Sequence, residues 1–259
     1  MSFFRNFPKV DYDNLGNGVR NKVIDIFRFV KPNQRFSNEL SLYSYYEIPE
    51  GSRPDVISQM LYGTPEYYWT FFIINEHLRT GLSSWPLSSN EFEKYIDTEY
   101  KGTVVTCSPR YVVDGDGILQ SIENSLADRY QIGEPVIGFI SGATAIVKAK
   151  DPTSQQLTLT DVVGTFQENE IIRGNITQDY VTSHKVYDRQ LAPHHWEDGS
   201  GRTVNNLSYI SGGIPEIQLD LITYREYEQA LNDQRSKIRV VRESRIFEFA
   251  DAYQELINR

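Results

Sequence analysis

Residues 52–76 read SRPDVISQMLYGTPEYYWTFFIINE, and this stretch decides the fold expected for the N-terminal part of the chain. Ser52 and Pro54 are typical of a helix start, and Gly63 is typical of a helix end. A second helix is predicted to begin at 64–66, because apolar side chains recur there at helical spacing. Residues 52–76 therefore predict two short helices that are joined by a tight turn.

The hairpin is rich in aromatic residues, and two interpretations of them stay open. In the first, the aromatic side chains form the core of the hairpin. In the second, some of the tyrosines lie outside as interface anchors, because tyrosine offers a large contact area at a low entropic cost. Consecutive helical residues cannot all face one side, so a mixture is expected for Tyr62, Tyr67, Tyr68, Trp69, Phe71 and Phe72.

The segments around the hairpin supply further elements. Apolar spacing at Val23, Ile26, Phe27 and Val30 predicts a short helix, and the tyrosine-rich segment 40–48 predicts a strand. Near the end of the chain, 237–241 predicts another strand. The closing segment 244–257 predicts an amphipathic helix, which must pack its apolar stripe against something. That stripe consists of Ile246, Phe249, Ala250, Tyr253, Leu256 and Ile257.

The middle of the chain, from about 101 to 190, has a different pattern. Residues 133–138 (GEPVIG) resemble residues 169–174 (NEIIRG) at an offset of 36 positions. Between these copies, apolar and polar residues alternate with a period of two, and glycines mark the turns. Such a pattern predicts short antiparallel strands. We expect an inserted small antiparallel β barrel or sandwich here, and the sequence does not distinguish between the two.

Composition excludes several classes of function. The chain has 259 residues, a net charge of −9 and no block of Lys or Arg, which argues against nucleic acid as a partner. Its longest apolar run, 71–74, is far shorter than the roughly 20 residues of a membrane span. Apolar residues make up 39% of the chain, slightly below the usual 45–50%. We therefore expect part of the surface to be buried against protein partners.

Motifs of catalysis, cofactor binding and metal binding are not found. His194 and His195 are adjacent, so in an extended segment they point to opposite faces, and we interpret 192–199 as a solvated polar loop. Cys107 lies in a predicted strand and is interpreted as a packed thiol. The segment 114–117 (DGDG) lacks the spacing of a calcium loop and is interpreted as a hairpin tip. No catalytic, cofactor-binding or metal-binding residue is predicted, and no small-molecule substrate is expected.

The order of several motifs along the chain resembles one known family. After the segment 23–28 (VIDIFR) come the hairpin motifs RPD at 53–55, LYGTP at 61–65 and YW at 68–69. Near the end, Tyr224 and Tyr227 precede the strand at 238–241. The hairpin by itself resembles a LysM-like module. The order of all these motifs resembles the baseplate wedge subunits of T4-type contractile-tailed phages, over residues 20–100 and 215–257. The segment 133–174 resembles β modules of marine myovirus structural proteins.

This resemblance implies an α+β fold with a LysM-like βααβ module, the inserted β module and a C-terminal amphipathic helix. It implies a structural, non-enzymatic protein in the virion, located in the tail baseplate and, during assembly, in the host cytoplasm. The implied partners are other wedge proteins, namely the inner-ring wedge protein and the sheath initiator, and neighbouring wedges. Candidate interface residues are Phe27, Tyr62, Tyr67, Tyr68, Tyr224, Tyr227, Phe247 and Tyr253.

The alternative function is that of a LysM-type module that binds N-acetylglucosamine polymers of peptidoglycan. The predicted domain organisation is the same for both functions. Residues 1–100 form the N-terminal segment and the LysM-like domain, residues 101–190 form the inserted β module, and residues 191–259 return to pack on the first domain.

Overall fold

A computed structural model describes residues 7–25, 28, 30, 40–107, 111–113, 119–121, 126, 128–204 and 219–258. The chain divides into two compact units. One unit, called the helical unit here, comprises Met1–Asn90 and Leu231–Arg259. The other, called the barrel unit, comprises Glu91–Ala230. The fold is mixed α+β with a C-terminal helix, as the sequence predicts, and the inserted β module is a closed six-stranded barrel.

The helical unit is organised around two strands from opposite parts of the chain. Strand β3 (Tyr43–Glu47) pairs antiparallel with β15 (Lys237–Val241), with Tyr43 opposite Val241 and Glu47 opposite Lys237. Helices α1 (Pro54–Tyr62) and α2 (Trp69–Ile74) follow β3 in sequence, and α5 (Ile246–Asn258) follows β15.

The two helices of the hairpin begin and end close to the predicted positions, with one difference in the capping. Helix α1 has Pro54 at its first turn, but Arg53 rather than Ser52 occupies the N-cap, and it makes no side-chain capping bond. At the other end, Gly63 adopts the left-handed conformation with φ of 70°. Its N–H donates to Gln59 O at 3.0 Å. A single 3-10 turn, Pro65–Tyr67, connects this glycine to α2.

The core of the helical unit joins the hairpin to the terminal helix. Trp69 of α2 packs against Phe249 and Tyr253 of α5, with ring centroids 6.3 and 5.2 Å away. Long-range hydrogen bonds add to this packing. The hydroxyl of Tyr62 donates to Val241 O at 2.9 Å, and the side chain of Asn75 bonds to both the N–H and the C=O of Arg239. The predicted apolar stripe of the terminal helix is thus largely buried.

The prediction of a helix over 23–30 is wrong for residues 23 and 24, which belong to a strand. Strand β2 (Asn21–Ile24) pairs antiparallel with β1 (Lys9–Tyr12), which places Val23 opposite Val10. The loop between the strands is held by Asp13, whose carboxylate accepts N–H bonds from Leu15, Asn17 and Gly18. A hairpin partner nearby in sequence therefore overrides a weak helical pattern. Ile26 and Phe27 lie outside the described residues.

Six antiparallel strands close the barrel, in the order β10-β11-β4-β9-β8-β7. Their bounds are β4 (Thr103–Cys107), β7 (Pro135–Gly138), β8 (Thr144–Asp151), β9 (Gln156–Val163), β10 (Ile171–Gly174) and β11 (Tyr180–Asp188). Inward-facing side chains such as Val105, Val147, Leu159, Ile172 and Val181 fill its core. Strands β5 (Tyr111–Val113) and β6 (Leu119–Ser121) pair with each other, and the residues of the predicted hairpin tip at 114–117 lie outside the described residues.

The repeat seen in the sequence corresponds to an approximate twofold symmetry of the barrel. Strands β7 and β8 of one half correspond, at the offset of 36, to β10 and β11 of the other. Pairs of backbone bonds recur at the offset of 36. Gly133 N donates to Val147 O and Asn169 N donates to Ser183 O, at 2.8 and 3.1 Å. The register shifts recur as well, between Val147 and Ala149 and between Ser183 and Lys185.

Each half of the barrel contributes one buried glutamate that holds a turn of the other half. Glu134 accepts N–H bonds from Ile176 and Thr177, at 2.8 and 2.7 Å. Its counterpart Glu170 accepts N–H bonds from Ile140 and Ser141, at 3.1 and 2.9 Å. Both side chains are fully buried. Burial by itself raises the pKa of each carboxyl, but these hydrogen bonds outweigh it and hold the pKa below its ordinary range.

Glycine is required where these carboxylates approach the backbone. A Cβ on Gly138 would lie 2.7 Å from Glu170 Oε2, and a Cβ on Gly174 would lie 2.9 Å from Cδ of the Glu134 carboxylate. The glycines that end the two repeat copies are therefore required because the backbone at each position lies close to a buried carboxylate.

The rest of the barrel unit consists of two helices and a small sheet. Helix α3 (Ser89–Glu99) precedes the barrel, and α4 (Tyr224–Ser236) follows it, continuing into the helical unit. Between them lies a three-stranded sheet in the order β13-β12-β14. Its strands are β12 (Pro193–Glu197), β13 (Thr203–Val204) and β14 (Asp220–Thr223). The prediction of a solvated polar loop at 192–199 is wrong for its first part, which is strand β12.

Candidate docking surfaces

The three tyrosines predicted as anchors on the hairpin are half-buried. Tyr62 packs edge-on against Tyr67 at 5.9 Å and stacks on Phe71 at 6.2 Å. Burial raises the pKa of the Tyr62 hydroxyl, because the interior disfavours its charged form. Tyr68 also packs against the core. Much of the aromatic cluster therefore forms the core of the hairpin, as the first interpretation has it, and Trp69 and Phe71 are buried.

The terminal helix α5 presents the most open aromatic ring of the predicted set. Phe247 is 68% exposed. Its ring meets that of Tyr67 edge-on at 5.9 Å. Tyr253, on the same helix, is only 3% exposed and donates its hydroxyl to Val30 O, and burial raises its pKa to about 12. Phe27 lies outside the described residues.

One stripe of α5 is polar and acidic. A shallow groove is lined by Asp251, Gln254, Glu255 and Asn258. Phe247 lies one helical turn before Asp251, so an open aromatic ring and an acidic stripe adjoin on this helix. Burial raises the pKa of the Tyr67 hydroxyl, and the nearby negative charge of Asp251 raises it further. The surface formed by Tyr67, Phe247 and this stripe is called the terminal-helix surface below.

Tyr224 and Tyr227 lie together in the barrel unit, at the start of α4. The ring of His194 stacks on Tyr227 at 3.8 Å and meets Tyr224 edge-on at 5.1 Å. Tyr100 stacks at a tilt against Tyr224 at 5.3 Å and donates its hydroxyl to Glu228 at 2.7 Å. Both predicted anchors thus belong to a packed aromatic cluster and are half-buried there.

The two adjacent histidines contact each other, contrary to the expectation that they point to opposite faces. A register shift between Pro193 and His195 interrupts the alternation of β12. The Nδ1 atoms of His194 and His195 are 2.8 Å apart, and His195 Nε2 lies 3.0 Å from Glu197 Oε1. Burial, with the neighbouring His195, lowers the pKa of His194.

These contacts link Glu197, His195 and His194 in a chain of side chains. Among the described residues, neither imidazole hydrogen-bonds to a serine, threonine or cysteine, so neither His194 nor His195 is paired there with a nucleophile. The described ranges also hold no cluster of three or more His, Cys, Asp or Glu side chains that could bind a metal ion.

The cysteine behaves as the sequence predicts. Cys107 is buried in the barrel core, and burial raises the pKa of its thiol to about 12. A thiol with such a pKa carries almost no thiolate at neutral pH. Within the described segments, no helix has the length and apolar character needed to cross a bilayer.

Several exposed apolar residues of the barrel were missed by the sequence analysis. Phe139, Ile140 and Ile176 lie in the turns that follow the two repeat copies, and all three are exposed. Their signal was present in the sequence, because each breaks the polar character that is usual for a tight turn.

Comparisons with known proteins do not assign the chain to a family. No protein-family model matches it, and no curated protein matches it at a significant level.

Proposed function

We propose that this chain is a structural, non-enzymatic component of a contractile-tail baseplate wedge, located in the virion, which docks onto other wedge proteins and helps to link adjacent wedges. The observation that carries the proposal is the order of motifs over 20–100 and 215–257, described above. The arrangement of the helical unit supports it. Strand β3, helices α1 and α2, and strand β15 give the strand-helix-helix-strand order that a LysM-like βααβ module has, with the barrel unit between α2 and β15 in sequence.

The terminal-helix surface is the region of the helical unit that we assign to docking. An exposed phenylalanine beside a half-buried tyrosine offers apolar area that stays in contact with water in the free protein. The adjoining carboxylates of Asp251 and Glu255 give that area a charged rim. Apolar area with a polar rim is the usual composition of a protein interface.

Glycan binding is less well supported as a function of the same module. Trp69 and Trp85 are both buried in the helical unit, so neither indole ring is open to stack on a sugar. The indole N–H of Trp85 is engaged as well, since it donates to Ser52 O at 2.8 Å.

A reconstruction of the virion tail by electron microscopy tests the proposal directly. We expect the chain to be traced in the baseplate, with the terminal-helix surface against another tail protein. Absence of the chain from intact particles, measured by mass spectrometry, would refute the proposal. Titration with chitin oligomers tests the alternative, and we expect no change in tryptophan fluorescence.

Variants of the terminal-helix surface test which residues dock. Phe247→Ser is expected to weaken co-purification with the other tail proteins, because it removes the open ring. Leu82→Ser changes a comparably exposed apolar residue of the same unit and serves as the control. Equal behaviour of the two variants would remove Phe247 from the interface.

A further inference from the structure

One side of the barrel presents an apolar surface to solvent. Ile137 pairs with Arg173 on one neighbouring strand and with Thr144 on the other. Arg173 also pairs with Tyr180, and Thr144 pairs with Val163. Phe139 continues the outward side of β7, and its N–H donates to Ile171 O. All these side chains are exposed, Phe139 to 76%. The barrel face is defined here as Ile137, Phe139, Val163, Ile171, Arg173 and Tyr180.

The backbone beside this face is held rigidly. The turn after Phe139 receives the buried carboxylate of Glu170, and the turn after β10 receives that of Glu134. A surface whose backbone is already fixed loses little conformational entropy when a partner binds. Burying the two carboxylates costs solvation free energy, and the turns that they hold carry exposed apolar side chains. Exposed apolar patches of this kind mark interaction sites.

The charge of the barrel face indicates what kind of partner fits it. Arg173 is the only charged residue among the six members, and a second cation adjoins them, since the guanidinium of Arg129 lies 5.7 Å from the centroid of the Tyr180 ring. Among the described residues, no carboxylate forms an ion pair with Arg173, whose guanidinium instead donates to the side chain of Gln178. Covering Arg173 without a counter-charge is strongly unfavourable. A partner that covers the face must therefore bring a carboxylate.

We propose that the barrel face is a docking site for a protein segment that carries an Asp or Glu among apolar residues, with its carboxylate paired to Arg173. This inference goes beyond the proposed function and holds whether or not the chain belongs to a baseplate. A second copy of the chain is a poor occupant, because two such faces would bury two guanidinium groups and supply no acid.

The test uses the full-length chain to select binders from a displayed library of random 12-residue peptides. We expect the enriched peptides to carry Asp or Glu beside aliphatic or aromatic residues. Arg173→Glu and Phe139→Ser are each expected to weaken binding of those peptides by at least about tenfold, the effect of an interface hot spot. Arg20→Glu and Leu191→Ser change exposed residues outside the face and should leave binding within about twofold.

A charge exchange makes the test specific. The best peptide, resynthesised with Lys in place of its acid, should bind Arg173→Glu more tightly than it binds the natural chain. Enrichment without acidic residues, equal losses in the control variants, or a selection that yields no peptide sensitive to Arg173→Glu would overturn the proposal. A dimer of the natural chain in sedimentation that Phe139→Ser dissociates would also overturn it, in favour of a second copy.

Discussion

The barrel and the helical unit reach stable cores by opposite routes. The barrel is built from strands within one stretch of chain, Thr103 to Asp188, and its two halves repeat the same hydrogen bonds. The helical unit depends on segments from both ends of the chain, since β3 pairs with β15 and Trp69 packs on Phe249 and Tyr253.

This difference predicts how each part responds to damage. Contacts between neighbouring segments close short loops, whereas contacts between distant segments must first overcome a larger loss of chain entropy. The barrel should therefore survive the loss of the chain's end. The helical unit should fail as soon as one of its two contributing segments is removed.

Removing residues 237–259 is expected to have the largest effect, because it takes away β15 and α5 together and leaves α4 complete. Strand β3 then loses its partner, and Trp69 loses the rings that cover it. We expect hydrogen exchange to show loss of protection across residues 43–74 and retained protection across the barrel strands. Protection of 43–74 at the level of the full chain would contradict the dependence on both ends.

Trp69→Ala is expected to have the next largest effect, lowering the free energy of unfolding of the helical unit by about 3–5 kcal/mol. The ring is buried, so its removal leaves a cavity between α2 and α5. Urea denaturation measures the change, and Leu82→Ala, at an exposed site, should stay within about 0.5 kcal/mol. A melting curve unchanged by Trp69→Ala would disprove the burial of that ring.

The paired glutamates allow the symmetry of the barrel to be tested. Glu134→Gln and Glu170→Gln should each cost about 1.5–3 kcal/mol, because the charge is lost and the amide NH2 cannot accept the N–H bond that the second carboxylate oxygen accepts. Equivalent environments predict similar losses for the two variants. A large loss for one and none for the other would show that the repeated contacts are not energetically equivalent.

The same pair makes the stability of the barrel depend on pH. The folded pKa of each carboxyl lies below its unfolded value, so the stabilisation is fully present above the unfolded pKa of about 4.3. It is lost as the pH falls toward the folded pKa. Denaturation between pH 7 and pH 3 should show this loss in the natural chain, and the double Gln variant should show a smaller one.

Tyr62→Phe is expected to have the smallest effect, about 1 kcal/mol, because it removes the hydroxyl that donates to Val241 O. That bond joins residues 179 positions apart. Tyr45→Phe, at a highly exposed site of β3, provides the control and should change stability little. Equal effects of the two substitutions would show that the long-range bond adds nothing measurable.

Local pattern was sufficient to predict much of the fold. The repeat at 133–138 and 169–174 indicated paired strands, and Gly63 marked the end of α1. Closure of the barrel could not be predicted, because alternation shows which side chains face inward but does not show whether the first and last strands meet. The helix predicted at 23–30 failed for a related reason, since a four-residue apolar pattern is too short to outweigh a hairpin partner.

The candidate sites were harder to predict than the elements that carry them. The inward direction of the Tyr62 hydroxyl depends on Val241, which is distant in sequence. The contact between His194 and His195 depends on a register shift that alternation alone does not reveal. The barrel face depends on which outward residues lie side by side, and this is fixed by strand register.

Thr103 lies directly opposite Asp188 in the pairing of β4 with β11. The chain therefore enters the barrel and leaves it at neighbouring points, so the path of the polypeptide on either side is nearly continuous without it. A module joined in this way can be gained or lost in one recombination event with little disturbance to its host. Related chains of different length are then expected to differ by the whole barrel rather than by parts of it.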